Sequence, residues 1–481
     1  GNQSTDKWGD GVRLTEGSFN VSGNPVITGN GDENVYLKDG KTITVSEPLT
    51  SGASIGVSTP NTPTASAPVA ITGTNAADYS SYFFADNTAY MAYNDNNVVK
   101  LNPGHRHAVN ADCSPAGGDQ VTFEPLPADG GSIYISKNYY LTEDVTFTNN
   151  MLILNGATVN LCLNGHVLSG TGTKAVITVG SGTLNLCDCS GECTHYFEAR
   201  SYGKIPAGPA AGLWTLTTKN TTPAAGKVVA PVTGGIITGG QTSRGGGVEL
   251  YGTTARCTFN MYGGNIVGCS AAPGSGGGGG VYVYQDRAAF NMIGGSIMGC
   301  SVAHGNGGGV YVFNGTFNMT GGIITANSAE YGGGVYLNGG TATVSDSPVI
   351  AGNDDTNVYL NNGKTIGVSA PLTSGASIGV TTQTAPAAGA PVAVTGVNDA
   401  NYVRYFFSDD PAYEVYSKNN VIQLTADHTH SVSTDCSDTE GDQEAFEPLP
   451  ASGGRITSDK NYYLTDDVTL TRDLVIDDNA T

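Results

Sequence analysis

Residues 307–328 read GGGVYVFNGTFNMTGGIITANS, and this stretch decides the fold class. Its opening motif recurs as GGGVELYG, GGGVYVYQ and GGGVYLNG, at spacings of 33, 29 and 25 residues between Val248, Val281, Val310 and Val335. Each repeat holds three short extended runs, and glycine pairs interrupt the sequence too often to sustain a helical period. The pattern therefore predicts coils of about 25 residues, each with three strands, stacked as a parallel β-solenoid.

Alternation within each run sorts the side chains into an inward and an outward set. Apolar residues at every second position, such as Val281 and Phe290, are expected to point inward. Stacking turns the outward residues into columns, which are predicted to be Tyr282, Tyr311, Tyr336 and Tyr359, and Asn260, Asn291 and Asn318. Such rows stabilise parallel strands in register, but a flat tyrosine strip also favours stacking of sugar rings or lateral packing of fibres.

A longer repeat contains the shorter one. Residues 26–158 realign on 349–481 without a gap at a constant offset of 323. VITGNGDENVYLKDGKTI matches VIAGNDDTNVYLNNGKTI, and PLTSGASIGV recurs unchanged. The sequence thus predicts a window on a tandem array, with a trimmed two-copy protein as the alternative.

The long repeat divides the chain into predicted domains. These are the C-terminal part of a preceding β-helix unit with a hairpin cap at 1–104, a connector at 105–127, a complete unit at 128–427, a second connector at 428–450, and the start of the next unit at 451–481. An insertion at 190–232 fits no coil and contains Trp214. Both a binding flap and a protective cap remain open for it.

Composition excludes several classes of protein. The 69 glycines among 481 residues show no three-residue period, which excludes collagen, and 39% hydrophobic residues with 24 tyrosines predict a folded chain. A net charge of -21 disfavours binding to nucleic acid and to anionic membrane surfaces. No apolar run approaches the ~20 residues that span a bilayer, so no membrane insertion is expected.

Cysteines occur at repeated positions. Cys162 and Cys187 lie one 25-residue coil apart in NLCLNG and NLCDCS, and Cys269 and Cys300 lie in consecutive GCS corners. Neighbouring coils bring Cα atoms to about 4.8 Å, within the disulfide range of about 4.4–6.8 Å. The sequence therefore predicts two disulfides and an oxidising, extracellular compartment.

Metal binding is the alternative role for cysteines, together with histidines and Asp/Asn corners elsewhere in the sequence. His105, His107 and Cys113 form an HxHx5C motif with zinc-compatible ligand types, although the spacing is not that of a standard zinc finger. The Asp/Asn corners GNGDEN at 29–34 and GNDDTN at 352–357 supply oxygen ligands for Ca²⁺. Ordinary turn chemistry is the favoured interpretation, and no cofactor is expected.

Several motifs resemble known surface proteins. NYYLTEDVTF, TVNLCLNGHVLSG, TLNLCDCSG and the GGGVYV coils with FNMTGGIITANSA resemble the very large cell-surface repeat proteins of anaerobic gut Firmicutes, and the GGGV and IxxN units are similar to repeats of chlamydial polymorphic membrane proteins. The resemblance covers nearly the whole chain except 190–232 and implies a right-handed, pectate-lyase-like β-helix with an adhesive role. Cys269 and Cys300 depart from the chlamydial pattern, which has asparagine at that corner, as at Asn327.

The favoured function is a non-catalytic extracellular stalk or fibre. Its expected partners are host or bacterial surface glycans or proteins, or other copies of itself, and each unit of 323 residues would add about 50 Å of reach. A polysaccharide lyase or glycoside hydrolase is the enzyme alternative, and a self-assembling surface filament is the third. Glycoside hydrolysis needs two carboxylates about 5–9.5 Å apart, whereas the acids between 233 and 348 hold unrelated coil positions: Glu249, Asp286, Glu330 and Asp346. Asp188 and Glu192, near His195, are interpreted as turn residues.

Overall fold

The structure is a computed structural model and is all-β. It describes residues 11–426 except 32, 65–66, 78, 88–89, 111–112, 114–120, 172, 191–192, 200–213, 220–228, 253–254, 273–275, 355, 388 and 397–401, together with 428–430, 444–448, 454–456, 461–463 and 474–476. The only helices among these residues are two single 3-10 turns, Ser80–Tyr82 and Val403–Tyr405. The predicted all-β class is therefore confirmed. Much of the insertion and the middle of the second connector, at 431–443, lie outside the described residues.

The chain forms two units. The N-terminal unit comprises residues 1–109, 114–128 and 138–144, and the main unit comprises 110–113, 129–137 and 145–481. Each unit has its own core of buried aliphatic and aromatic side chains.

Three strands make up each full coil of the main unit, and each contributes to a different parallel face. Face A pairs in register Gly131–Ile133, Met151–Ile153, Ile177–Val179, Val248–Leu250, Val281–Val283, Val310–Val312, Val335–Leu337 and Val358–Leu360. Face B pairs Val145–Phe147, Val167–Gly170, Ile236–Thr238, Asn265–Val267, Ser296–Met298, Ile323–Thr325 and Val349–Ile350. Face C pairs Ala157–Cys162, Gly182–Cys187, Cys257–Met261, Ala288–Met292, Thr316–Met319, Thr341–Asp346 and Ile366–Leu372.

Additional strands complete the main unit. Ser377–Thr382 pairs with the last strands of faces A and B and then with Phe406–Ser408. Further strands form a corner ladder (Gln241–Thr242, Ser270–Ala271, Ser301–Val302), a flap (Thr194–Ala199, Trp214–Lys219, Val229–Thr233), a cap (Val392–Ala393, Glu414–Lys418, Val421–Thr425), and two small sheets (His428–His430, Glu444–Pro448, Asn461–Tyr463; Gly454–Ile456, Leu474–Ile476).

The N-terminal unit reproduces the end of the main unit. Its strands are Val12–Leu14, Phe19–Gly23, Val26–Ile27, Val35–Leu37, Ile43–Leu49, Ser54–Ser58, Val69–Ala70, Phe83–Ala85, Tyr90–Asp95, Val98–Pro103, His105–His107, Val121–Pro125 and Lys137–Tyr140. Parallel pairs and an antiparallel cap follow the same order in both units. The repeat of 323 residues is thus a repeat of strand topology as well as of sequence.

The inward residues of face C form an aromatic column that links successive coils. Phe259, Phe290 and Phe317 are at most 1% exposed, and their ring centroids are 4.9 and 5.3 Å apart in successive coils. Parallel strands in register place like residues above each other, so one apolar position in the repeat generates a continuous aromatic interior. The inward and outward alternation predicted for this run is the one observed.

Candidate functional site

The outward asparagines of face C form a hydrogen-bonded ladder. Each Nδ2 donates to the Oδ1 one coil below, from Asn260 to Asn185, from Asn291 to Asn260 and from Asn318 to Asn291, at 2.7, 2.7 and 2.8 Å. Sequence reasoning missed the lower members, in which Asn185 donates to Asn160 at 2.7 Å. The signal was present, because both asparagines precede a leucine and cysteine in the recurring motif NLC.

The tyrosine row of face A is largely buried, which favours its structural interpretation over the alternative of an exposed platform for sugar rings. Tyr282, Tyr311 and Tyr336 are 3%, 5% and 8% exposed, while Tyr359 is half-buried. Burial and the neighbouring Tyr336 raise the pKa of Tyr311 to about 12. These rings point away from the coil interior but pack against each other at centroid distances of 5.2–5.3 Å.

A second aromatic column, which sequence reasoning missed, lies two residues beyond the tyrosine row. Tyr251 stacks on Tyr284 at 5.1 Å, and Tyr284 stacks on Phe313 at 5.5 Å. The guanidinium of Arg244 lies 5.1 Å from the centre of the Tyr284 ring, a cation–π contact. Stacking along the coils therefore packs the rings of this column against each other. Tyr251, at 39% exposed, ends this column.

Glu249 lies at the base of the tyrosine row. It pairs in register with Tyr282, not with another acid. Burial raises the pKa of the Glu249 carboxyl, and the charge of Arg244 opposes the shift. Likewise, Asp346 pairs in register with Leu372. The register therefore brings neither of these acids opposite a second carboxylate.

Trp214 packs against the coils at the flap. It contacts the cluster formed by Val167, Phe197, Val232, Ile236 and Val267. The backbone N–H of Trp214 also donates to the carbonyl of Gly299 at 3.2 Å. The half-buried indole packs on the coil, which favours the cap interpretation of this strand.

We expect Gly299→Ala to displace Trp214. A Cβ at Gly299 would overlap the indole, whereas a Cβ at Gly352, two coils on at the same corner, would meet only the Thr325 hydroxyl at 3.0 Å. Ala326 occupies the coil between them with φ of 56°, so the corner accepts alanine where no tryptophan covers it. In a Trp8→Phe background, Gly299→Ala should shift the fluorescence of Trp214 to longer wavelength, and Gly352→Ala should leave it unchanged. Equal spectra for both variants would contradict this packing.

Asn353, Asn327, Cys300 and Cys269 occupy equivalent corner positions after the strands of face B, and their contacts explain why cysteine can replace asparagine there. The side chains of Asn353 and Asn327 donate to the carbonyls of Ile324 and Ile297, each at 2.9 Å. The thiol of Cys300 lies 3.7 Å from the carbonyl of the equivalent residue one coil below, Ile266. Cys269 repeats this contact with Ile237 at 3.9 Å. Cysteine thus occupies the donor position of asparagine.

Neither predicted disulfide is formed, and the eight cysteines that the structure describes are all thiols. Cys162 and Cys187 are register partners, as are the positions of Cys269 and Cys300. Register partners on parallel strands have parallel Cα–Cβ vectors, which keep the Cβ atoms near the strand spacing of about 4.8 Å, beyond the usual disulfide range of about 3.5–4.5 Å. A disulfide at the corner would also remove the thiol donors described above.

The zinc candidates fall in different units. In the N-terminal unit His105 stacks on Tyr140 and His107 on Phe123, both at centroid distances of 4.3 Å. Cys113 belongs to the main unit, where it is buried beside Cys187. The zinc site stays a prediction.

Asp188 acts as a turn anchor, in agreement with its interpretation from the sequence. Its two carboxylate oxygens accept hydrogen bonds from the N–H groups of Gly165 and Gly235 at 2.7 and 2.6 Å. His195 is buried with Nε2 2.9 Å from the carbonyl of Gly165, and Glu192 lies outside the described residues.

The corners considered for Ca²⁺ hold hydrogen-bonded networks. In the main unit Asp409 accepts from the backbone N–H and the Nδ2 of Asn357 at 2.8 and 2.6 Å and from the hydroxyl of Thr381 at 3.0 Å. Asp86 accepts the same bonds from Asn34 in the N-terminal unit. Burial raises the pKa of Asp409, while its hydrogen bonds lower it. Turn hydrogen bonds thus engage Asn34 and Asn357, whereas Asp32 and Asp355 of the two corners lie outside the described residues. Neither Asp86 nor Asp409 was predicted from the sequence, although the two stand 323 residues apart.

Comparisons with protein-family models, with curated proteins and with solved structures find no match. Within the described residues, no helix has the length and apolar character needed to cross a bilayer.

Proposed function

We propose that this chain is part of a non-catalytic extracellular stalk, built from tandem units of about 323 residues and displayed at a cell surface for adhesion. The observation that carries the proposal is the duplicated cap. Each unit closes its coils with the same antiparallel hairpin and with the same Asn–Asp bonds, Asn34 to Asp86 and Asn357 to Asp409. A unit that contains its own closure can be repeated many times without changing its fold.

The coils of the main unit support a right-handed β-helix of the pectate-lyase type as the form of each unit. Each chain segment leaves one strand and returns parallel to it after visiting two other faces. About 98% of crossover connections between parallel strands of one sheet are right-handed, because strand twist favours that direction.

The distribution of polar groups supports a structural role over catalysis. Outward polar side chains of face C bond to one another and so join the coils, as in the asparagine ladder that runs from Asn160 to Asn318. The final asparagine accepts a hydrogen bond from the hydroxyl of Thr343 at 2.7 Å. The outward polar side chains of face C therefore stabilise the stacking of coils, as expected for an elongated, solvent-exposed stalk. Surface glycans or proteins are the partners proposed for it.

Location and adhesion can be tested on intact cells. Antibodies raised against the 481-residue chain should label the surface of unpermeabilised producing cells in immunogold electron microscopy. The purified chain should bind host cells or a glycan array, and a heat-denatured sample should not. Labelling that requires permeabilisation would contradict the location. Binding equal to that of the denatured sample would contradict the adhesive role.

The enzyme alternative has a separate test. The chain is incubated with pectins, mucin glycans and host polysaccharides, and new reducing ends and unsaturated products are measured. We expect neither to exceed the heat-denatured control. Turnover that is lost in Glu249→Gln would replace the structural proposal with a catalytic one.

A further inference from the structure

The cysteines of the main unit differ in where their thiols point. The Cys187 thiol lies 3.6 Å from the carbonyl of Leu161, one coil below. Cys269 and Cys300 use their thiols on carbonyls in the same way. Each of these three thiols lies close to a backbone carbonyl one coil below, and Cys187 also lies beside the thiols of Cys113 and Cys162.

Cys162 also approaches a thiol that is not its register partner. Its Sγ lies 3.5 Å from the Sγ of Cys189. Cys189 is two residues beyond the register partner of Cys162 and lies after the end of the paired strand, so the parallel Cα–Cβ vectors of a register pair do not apply to it. This offset removes the geometric obstacle that separates register partners.

We propose that Cys162 and Cys189 form a disulfide that joins two consecutive coils, in place of the Cys162–Cys187 bridge expected from the sequence. Cys162 is fully buried, whereas Cys189 is exposed and open to a dissolved oxidant. The proposal concerns the thiol pair itself and does not depend on the adhesive role, although an extracellular location would supply oxidising conditions.

The chemistry is thiol–disulfide exchange with a low-molecular-weight disulfide as the oxidant. The Cys189 thiolate attacks the small disulfide, forms a mixed disulfide and releases one small thiolate. The Cys162 thiolate then attacks the Cys189 sulfur and releases the second small thiolate. Two protein thiols are oxidised, one small disulfide is reduced to two thiols, and the two protons from the protein thiols pass to the departing thiolates.

The surroundings of Cys162 predict which step is slow. The hydrogen bond with Cys187 raises the pKa of Cys162 most, and burial adds to the shift, while Cys189 lowers it. Because Cys162 is also fully buried whereas Cys189 is exposed, we expect the mixed disulfide to form first on Cys189 and the attack by Cys162 to be the slower step.

Peptide mapping tests the proposal. The reduced 481-residue chain is incubated with oxidised glutathione, the remaining thiols are blocked with N-ethylmaleimide, and the digest is analysed by mass spectrometry without reduction. The expected product is a peptide pair linked through Cys162 and Cys189, with two thiols lost from the nine in the chain. Cys189→Ser should abolish this link, and the matched control Cys193→Ser, four residues further along, should retain it.

Three results would overturn the proposal. The first is a link between Cys162 and Cys187, and the second is retention of all nine thiols in the oxidised wild-type chain. The third is stoichiometric bound zinc that protects Cys162 and Cys189 from N-ethylmaleimide. Since the link is sought in the wild-type chain, misfolding of a variant would not obscure the outcome. Failure here would leave the cell-surface experiments unaffected.

Discussion

Phe290→Ala is expected to lower the free energy of unfolding of the main unit by about 3–5 kcal/mol. The ring is fully buried and stacked between Phe259 and Phe317 in neighbouring coils. Its removal therefore leaves a cavity with aromatic walls above and below, and the coils on either side are held in register by their backbone hydrogen bonds and cannot collapse into it. Urea unfolding followed by far-ultraviolet circular dichroism measures the loss.

Tyr134→Ala is the matched control for this substitution. It also removes an aromatic ring from the main unit, but Tyr134 is 56% exposed. We expect a change within about 0.5 kcal/mol. If Phe290→Ala unfolded at the same urea concentration as this control, the continuous aromatic interior of face C would be wrong.

The second large effect is expected for Asn327→Ala at the corner of face B. Asn327 is fully buried, accepts a hydrogen bond from the N–H of Cys300 at 3.0 Å and donates to the carbonyl of Ile297 at 2.9 Å. Alanine would leave both backbone groups buried without these partners, at about 1–3 kcal/mol each. We expect a loss of about 2–5 kcal/mol in the same urea experiment.

Asn327→Cys separates the two contributions. The thiol can reach the carbonyl of Ile297 as Cys300 reaches that of Ile266, but it is a poor acceptor for the N–H of Cys300. The loss should therefore be about half that of Asn327→Ala. Equal losses for cysteine and alanine would show that the thiol does not replace the amide donor at this corner.

The sequence predicted the coils because their period is short and their polarity alternates. The spacing of Val248, Val281 and Val310 predicted their pairing on face A, and the structure confirms it. Inward residues such as Phe290 were equally predictable, since a one-residue slip would move the whole apolar set to the outer face.

Exposure of the outward residues could not be read from alternation. Tyr282 points away from the coil interior, yet its neighbours Tyr284 and Tyr311 cover it. The alternation of polar and apolar residues predicts the direction in which a side chain leaves the strand. Its exposure depends on the size of the side chains in the adjacent columns. The disulfide prediction was wrong for a similar reason. The spacing of cysteines in the sequence predicts which Cα atoms are close, but not the direction in which each Sγ atom points.

The asparagine ladder has a direction, since every amide donates toward the N-terminal side. An inserted coil carrying asparagine at this position would find an acceptor beneath it and offer an acceptor to the coil above. Duplication or loss of a whole coil would therefore preserve the asparagine ladder. The length of the solenoid could change by genetic recombination, because no new contact between coils would be required.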